Sequence, residues 1–523
     1  MIVRSQFPDL TVPDQELSAF VLASAGDYPD RAAVIDAASG RQLSYGDLRA
    51  QVDRFAGGLA HLGAGRGDVV AVALANGPEF PVAFLGAARA GAACTTLNPA
   101  ATAREAAAQL ADSGASVVIT VPECLGKFRA AAGPGVRLVV AGEAAGDAVS
   151  FGGLLSAGYP PPAVAVDPAE DLAALPYSSG TTGLPKGVML THRNLVANGL
   201  QCGPVYHGPG DVVLAVAPFF HIMGMAVVMV AGLCRGATLV TMARFDFEQF
   251  LRVIQDHRVT SMVVPPPVTA MLAKHPLVDS YDLSSLRLVT TGGAPLGAQV
   301  QQACAQRLGC RTTQAWGMSE LGLGTACPPD GASADKAGTV GWCVAGTEIR
   351  ITDPAAGAER EAGQPGELWF RGPNVMKGYL HNAEATAAAI DTNGWCRTGD
   401  VAQADDSGFI TIVDRVKELI KYKGYQVAPA ELEAVLLSHP LVADAAVVAS
   451  PDEEAGEVPK AYLVLKDDQP ADADGTAREI LGFAAAQLAH YKRIRRYEYA
   501  AAIPRTASGK IMRRELIERE RTR

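Results

Sequence analysis

The chain has 523 residues, too many for one ordinary hydrophobic core, so two or more domains are expected. Its apolar share of 49% is that of a globular protein, and no run of about 18 apolar residues suggests a membrane span. The formal net charge of −10 argues against a general nucleic-acid binder, and the nine cysteines contain no Cys-x-x-Cys pair that would signal zinc or a disulfide framework.

The opening residues, Met1 to Ser5, lack the apolar core of a secretory signal, and scattered unpaired cysteines suit a reducing cytoplasm. The first clear element is a helix. Ser44 stands where an N-cap belongs, Asp47 follows three residues on, and Leu48, Val52, Phe55, Leu59 and Leu62 recur at helical spacing. Asp68 to Leu74 reads as a buried strand, Asn76-Gly77 as its turn, and Pro78 to Ala90 as a helix. Val117 to Thr120 and Val136 to Val140 are further strands. Alternating strands and helices imply a parallel α/β sheet. Proline-rich Gly158 to Pro168 reads as a surface connection.

That connection leads to Tyr177-Ser-Ser-Gly-Thr-Thr-Gly-Leu-Pro-Lys186-Gly187, lying between the apolar runs Leu172 to Leu175 and Val188 to Leu190. Glycines let backbone N–H groups turn toward an anion, hydroxyls add donors, and Lys186 adds charge. The pattern points to a polyphosphate, although the spacing is not that of a Walker A loop. Beyond it, Thr191 can cap a helix through Asn198, Val212 to Ala217 is a strand ended by Pro218-Phe-Phe-His221, and Val227 to Leu233 is a buried helix. Short strands follow at 239–241, 261–264 and 286–290, the last ending at Thr291-Gly-Gly-Ala-Pro295. From Gly338 the pattern changes to strands at 349–351, 367–370 and 409–413 between glycine, proline and asparagine turns, which suggests a β-rich subdomain. After Asp414-Arg-Val-Lys417 comes a small α/β unit: a helix from Pro429, strands at 445–449 and 462–465, and a basic tail from Lys492 to Arg514.

These motifs, taken together, resemble the adenylate-forming superfamily of acyl-CoA synthetases, luciferases and carrier-loading adenylation domains, most closely its 4-coumarate–CoA and fatty-acyl–CoA ligase branch. The resemblance runs from about Leu43 to Arg514. It implies an α/β fold with a large N-terminal domain of stacked α/β sheets and a β-rich subdomain (1–413), a hinge (414–417) and a small mobile C-terminal α+β domain (418–523). It also implies ATP, Mg²⁺ and coenzyme A as cofactors and a small carboxylic acid as substrate.

The resemblance assigns Ser178, Ser179, Gly180, Thr181, Thr182 and Lys186 to the ATP phosphates. Gln314-Ala315-Trp316-Gly317-Met318-Ser319-Glu320 is similar to a motif whose aromatic stacks on adenine, whose hydroxyl meets the α-phosphate and whose glutamate carries the metal. Tryptophan and serine here replace the usual tyrosine and threonine, keeping a π-face and a hydroxyl. Glu320, with Thr182, is the expected Mg²⁺ ligand set, since this hard cation prefers oxygen. Gly293, Ala294 and Pro295 are expected over the nucleotide. Asp400 in Trp395-Cys-Arg-Thr-Gly-Asp400 is expected on the ribose diol, with Arg415 beside it. Lys417 is the implied hinge, Lys421 and Gln426 adenylation-state contacts, and Lys423-Gly424 a pantetheine contact used after rotation. Lys510, in Pro504-Arg-Thr-Ala-Ser-Gly-Lys510, matches the lysine that bridges the substrate carboxylate and the α-phosphate. A carboxylate attacking an anionic phosphate must overcome repulsion, and a desolvated ammonium between them offsets it. His221 is expected between acyl pocket and thiol tunnel, and Arg244 on the CoA nucleotide.

The implied acyl pocket comprises His221, Met223, Gly224, Thr290, Gly292, Gly293, Gly317, Leu321 and Gly322. Met223 stands where hydroxycinnamate ligases commonly carry tyrosine, and Thr290 where they commonly carry lysine. Both changes remove a group that could meet a phenol, so an apolar acid (fatty, terpenoid, polyketide-derived or aryl) is expected. The alternatives are a free-standing ligase loading an acyl carrier protein and a catalytically inactive nucleotide-binding effector. Intact Lys186, Glu320, Asp400 and Lys510 argue against the second.

Overall fold

The computed structural model describes residues 2–178, 185–206, 208–329, 335–354, 356–423, 425–452, 454–466, 473–506 and 509–521. Two large α/β sheets dominate the N-terminal part. One runs in the order 311–314, 288–291, 261–264, 212–215, 238–241, 32–36 and 42–44, parallel throughout except for its last pair. The other is built on parallel strands 172–174, 93–96, 69–72, 115–120 and 137–140, with 186–191 added antiparallel to 172–174 toward one edge. Strand segments rich in Val, Leu and Ala are buried on both faces, as a helix-covered parallel sheet requires. One large core joins the two sheets through Phe55, Phe80, Phe84, Phe219 and the buried segment 225–233.

The expected N-terminal helix forms over Tyr45–His61. Its cap is reciprocal: Ser44 Oγ accepts from Asp47 N–H at 3.0 Å and the Asp47 carboxylate accepts from Ser44 N–H at 3.2 Å. Several readings needed correction in extent: strand 212–217 stops at Ala215, 286–290 runs Leu288–Thr291, and the C-terminal strands extend to Val442–Asp452 and Gly456–Leu465. The helix after Thr191 runs the full length His192–Tyr206, with Thr191 Oγ1 accepting from Asn194 N–H at 3.2 Å. The buried helix read at 227–233 begins earlier and is a π-helix over Met223–Val230, continued by an α-helical turn at Ala231–Cys234. Wide π turns gather at functional sites, and this one starts two residues after His221.

A five-stranded antiparallel sheet (2–4, 348–352, 366–371, 396–404, 410–415) forms the β-rich part, and a three-stranded sheet (316–318, 322–326, 342–343) lies beside it. The C-terminal unit holds strands 420–422, 425–427, 442–452 and 456–465, with 496–499 pairing on 456–465, and has its own core around Ile420, Leu432, Val447 and Leu463. Pairing in the β-rich sheet continues through Arg415, opposite Asp400, and the next sheet begins at Ile420. Val416 to Glu418 form the turn between them, with Lys417 exposed.

The small unit rests on the large one at several points. Lys274 Nζ donates to Leu437 O at 2.8 Å, Asp414 accepts from Ala430 N–H at 2.9 Å, and Gly509 sits over Pro265. No helix among the described residues is long and apolar enough to cross a membrane.

Candidate active site

The carboxyl ends of the parallel strands 311–314, 288–291, 261–264 and 212–215 form one edge, where ligands of open α/β sheets bind. They deliver, in spatial order, Ala315-Trp316, Gly292-Gly293, Pro265 and the segment 218–221. A cleft enclosing about 710 Å³ of empty space opens at the first of these ends. Of the expected residues, Gly293, Ala294, Pro295, Gln314, Ala315, Trp316, Gly317, Asp400, Arg415 and Lys510 line it. Residues from three separate parts of the chain thus meet in one place.

Asp400 is buried, and both carboxylate oxygens have partners. The indole N–H of Trp316 donates to Oδ2 at 2.8 Å, and Arg415 Nε lies 3.3 Å from Oδ1. Burial pushes this carboxyl up from the usual carboxylate range, while the Arg415 guanidinium, the Trp316 indole and the Lys510 ammonium hold it down. Trp316 is itself buried, and its ring covers the backbone of Gly324, where a Cβ would come within 2.3 Å of Cζ3. The sequence showed a π-face at this position but not the indole N–H bond. Gln314 serves the loop rather than an open face. Its amide bonds Leu296 O at 3.0 Å, Leu296 N–H at 3.2 Å and Gln301 Oε1 at 2.9 Å, which fixes residues 293–296 over the cleft.

Lys510 reaches the cleft on a loop braced from within. Thr506 N–H donates to Lys510 O at 2.8 Å, Arg505 Nη1 donates to Gly509 O at 2.8 Å, and Arg505 pairs with Asp444. Three residues on, Arg513 is buried against Glu418 and Glu433. This ties the loop to the turn that follows Arg415. Burial pushes the Lys510 ammonium down from the ordinary lysine value. Arg415 acts in the same direction, and Asp400, Glu320 and Glu418 act against it. Asp414, also lining the cleft, is pushed up by burial to about 6 against the nearby Arg513 charge.

Glu320 is buried in the turn after Trp316–Met318. Its Oε1 accepts from Ser178 Oγ at 3.0 Å and from Tyr379 OH at 2.8 Å. A buried carboxylate bonded by neutral hydroxyls rather than by a cation fits a hard divalent ion that arrives with phosphates. Among the described residues no cluster of three or more His, Cys, Asp or Glu side chains forms a self-sufficient metal cage. Ser178 and Lys186 face each other in antiparallel register. Ser179, Gly180, Thr181 and Thr182 lie outside the described residues, as does Gly424. Met318 and Ser319 are half-buried beside the turn.

His221 sits at the end of the neighbouring strand. Its Nδ1 accepts from Met223 N–H at 3.4 Å. Burial, with the Lys510 ammonium as second cause, pushes the imidazole down to about 4. The segment is fixed by a residue read only as a turn: Asn76 accepts from Phe219 N–H at 2.7 Å and donates to Ala215 O and Ala217 O. Of the acyl-pocket set, Gly293 and Gly317 line the cleft described above, and Met223 Sδ approaches Gly292. Gly224 packs on Pro218 and Ala217 carbonyls, and Leu321 is buried. Gly322, at φ +67°, leaves no room for a Cβ beside Asn198. Thr290 is fully buried with its hydroxyl 3.2 Å from that of Thr313.

Other expected contacts lie away from the cleft lining. Lys421 and Gln426 face each other on an exposed hairpin, and Lys423, also exposed, pairs with Glu454. Arg244 is exposed past the end of strand 238–241, next to the strand that ends at His221. The cleft also uses Asp414, which opens the hinge motif, and Leu296, Gly338, Val340 and Ile412, apolar or turn residues without a chemical signature in sequence.

The cleft thus brings together a buried carboxylate (Asp400), a guanidinium (Arg415) and an ammonium on a braced loop (Lys510). Residues 21–380 match the family described as AMP-binding enzyme, and residues 431–510 match the AMP-binding enzyme C-terminal domain. The chain therefore belongs to the AMP-binding enzyme family and is an AMP-forming acid–CoA ligase. It is 44% identical to 4-coumarate--CoA ligase 5 of Oryza sativa subsp. japonica over 98% of this chain and 96% of that protein. Among solved structures, it superposes on the anthranilate CoA ligase AuaEII in complex with anthranoyl-AMP with a TM-score of 0.90 at 26% identity, covering 98% of both chains. It superposes on ATP-bound MatB from Rhodopseudomonas palustris with a TM-score of 0.87 at 29% identity, covering 96% of this chain and 98% of that one.

Proposed function

We propose that this ligase activates an extended apolar or aryl carboxylic acid as its acyl-adenylate and transfers the acyl group to the thiol of coenzyme A, in a compartment that keeps its cysteines reduced. The observation that carries the reading is the buried Lys510 ammonium in one cleft with Asp400 and Arg415, under the electrostatic influence of Glu320. Asp400, ionised and oriented by Trp316 and Arg415, accepts from the ribose hydroxyls. Lys186, with the backbone and hydroxyls of the segment it closes, takes the β- and γ-phosphates. Lys510 bridges the attacking carboxylate and the α-phosphate, where charge develops as pyrophosphate departs. Glu320 and Thr182 would hold the Mg²⁺ that arrives with the nucleotide, and the ion would supply charge neutralisation at the phosphates.

The second half-reaction follows a turn of the C-terminal unit, residues 418–523, about Lys417. This withdraws Lys510 and brings Lys423-Gly424 toward the acyl group. The exposed setting of Lys417 and Lys423 while Lys510 occupies the cleft supports that division of labour; Lys421 and Gln426, expected as adenylation-state contacts, are exposed on the same hairpin and lend it no support. Neutral His221 then stands between acyl group and thiol, and Arg244, beside the strand that ends there, meets the CoA nucleotide. The acid pocket supports an apolar occupant: Met223 offers a thioether and the Thr290 hydroxyl is already engaged by Thr313.

Pyrophosphate exchange over a panel of acids, followed by thioester assay with CoA and with a phosphopantetheinylated carrier protein, tests the reading. Exchange with aryl and alkyl acids and a thioester on CoA are expected. Preference for 4-coumarate over every aliphatic and alicyclic acid would overturn the apolar assignment. A thioester on the carrier alone would overturn the acceptor.

A further inference from the structure

Tyr379 touches two of the charged groups just assigned, yet no motif named it. It lies on the short strand Gly378–Tyr379, which pairs with Val188 and Met189 directly after Lys186. The surrounding backbone is strapped to both sides of the site: Leu380 N–H donates to Gly187 O and Met376 N–H to Glu320 O, each at 2.8 Å. Tyr379 N–H in turn donates to Thr386 Oγ1 at 2.9 Å. From this anchored position the hydroxyl donates to Glu320 Oε1 at 2.8 Å, and the Lys186 ammonium lies 4.9 Å from the centre of the ring.

A phenol is suited to this double contact. Its O–H is a donor for a carboxylate, and its face attracts a cation. Burial and the Glu320 charge keep it protonated, hence a donor, far above neutral pH. Both hydrogen bonds to the Glu320 carboxylate found among the described residues fall on Oε1, from Tyr379 and Ser178, which leaves Oε2 open to another ligand. Lys186 and Glu320 carry opposite charges and share this one ring. Among the described residues neither has an ion-pair partner, and the ring gives each a contact that does not cancel its charge.

Resting on the assignment of Glu320 to the metal and Lys186 to the phosphates, we infer that Tyr379 is a positioning residue of the adenylation half-reaction. Its hydroxyl sets the Glu320 carboxylate for Mg²⁺, and its ring holds the Lys186 ammonium available to phosphate and apart from Glu320. Groups that orient a metal-binding carboxylate commonly matter by about 10-fold or more in metal affinity.

Tyr379→Phe keeps the ring and removes the hydroxyl, whereas Tyr379→Leu removes both. Binding of Mn²⁺ to the enzyme saturated with α,β-methylene-ATP, followed by electron paramagnetic resonance, is the direct readout. Tyr379→Phe is expected to weaken Mn²⁺ by about 10-fold while leaving metal-free nucleotide binding unchanged. Tyr379→Leu is expected to weaken metal-free nucleotide binding as well, because Lys186 is then free to pair with Glu320. In pyrophosphate exchange, excess Mg²⁺ restores Tyr379→Phe, and thioester formation from supplied acyl-adenylate proceeds at the wild-type rate. Mn²⁺ affinity in Tyr379→Phe within twofold of wild type, or a defect that excess Mg²⁺ does not relieve, overturns the inference. Glu320→Gln is the control. If it binds Mn²⁺ like wild type, the metal assignment of Glu320 falls and the role of Tyr379 with it. If it loses Mn²⁺ while Tyr379→Phe does not, only the inference falls.

Discussion

Replacing Trp316 by phenylalanine separates the aromatic face that the family resemblance puts against adenine from the N–H that donates to Asp400. Phenylalanine keeps the face and removes the 2.8 Å bond to Oδ2. The carboxylate is buried, so that oxygen loses a charge-assisted bond worth about 1.5–3 kcal/mol. Loss of that bond disfavours the ionised form, so Asp400 titrates higher in the variant than in the wild type. Its carboxyl already stands above the usual range through burial, held down first by Arg415 and then by Trp316. The sign follows directly. A protonated acid accepts poorly from ribose hydroxyls, so the defect grows as pH falls and shrinks as pH rises past the raised pKa. The assay is the KM for ATP in pyrophosphate exchange from about pH 5.5 to about pH 9, the span in which carboxylates raised by burial titrate. Trp316→Phe should show an acid limb displaced upward relative to wild type and near-normal KM at the alkaline end. In an Asp400→Asn background the same substitution should add no pH dependence, because contacting residues couple and this cycle removes the coupled partner. A KM raised by the same factor at every pH, or an equal pH effect in the Asp400→Asn background, would refute the argument.

Lys510→Ala should lower adenylation by about 100-fold or more, yet still form thioester from supplied acyl-adenylate. Equal loss of both steps in rapid-quench assays would contradict the division of labour between the two ends of the C-terminal unit. Gly509→Ala should reproduce a weaker form of that defect, since φ is +83° and a Cβ would come within 3.0 Å of Pro265. Full adenylation activity in this variant would show that the loop seats without that close approach. His221, pushed down to about 4 by burial, should give a neutral imidazole signal by NMR at pH 6. An unfolded histidine titrates near 6.5, so the stability gained by keeping it neutral is present above about pH 6.5 and is lost as pH falls toward 4, by about 3 kcal/mol in all. His221→Gln should flatten that limb of a thermal-unfolding series, and an imidazolium signal at pH 6 would refute the assignment.

The lining of the cleft was legible in the sequence through the family resemblance rather than residue by residue. Asp400, Arg415 and Lys510 carry little signal alone, since a Thr-Gly-Asp turn or a basic tail is usually a solvated surface, yet they line one space with residues 314–317. Partnerships were not legible. The indole of Trp316 finds Asp400 84 positions away, and nothing near either residue records that bond. Asn76 looked like half of an ordinary Asn-Gly turn because its function lies in three bonds to the distant segment 215–219. Tyr379 was missed for the same reason: a lone tyrosine after Lys-Gly is unremarkable until the strand it occupies is seen pairing beside Lys186. Helix and strand limits also shifted where packing overrode local pattern. The segment after His221 has no polar face, so its apolar run marks burial but not the π turns that begin at Met223.

Spatial order adds what chain order hides. Along the parallel sheet the strand ending at Gln314 is followed by those ending at Thr291, Val264 and Ala215, and then by the one ending at Thr241. The motifs read from the N-terminus arrive nearly in reverse along this edge. Gln314 to Gly317 therefore sit at one end, the loop bearing Gly509 and Lys510 docks by Pro265 at the middle, and His221 and Arg244 follow toward the other end. On the proposed assignments, this order of neighbours follows the order of events, from nucleotide to acyl-adenylate to thiol. The same assignments explain why acid selection is hard to read from motifs. The acid would meet Gly292 and Gly293, which contribute only backbone, and a Thr290 hydroxyl already bonded to Thr313. Selectivity would then rest on shape, with Met223 as the adjustable wall, and shape is set by packing across strands rather than by any run of residues along one.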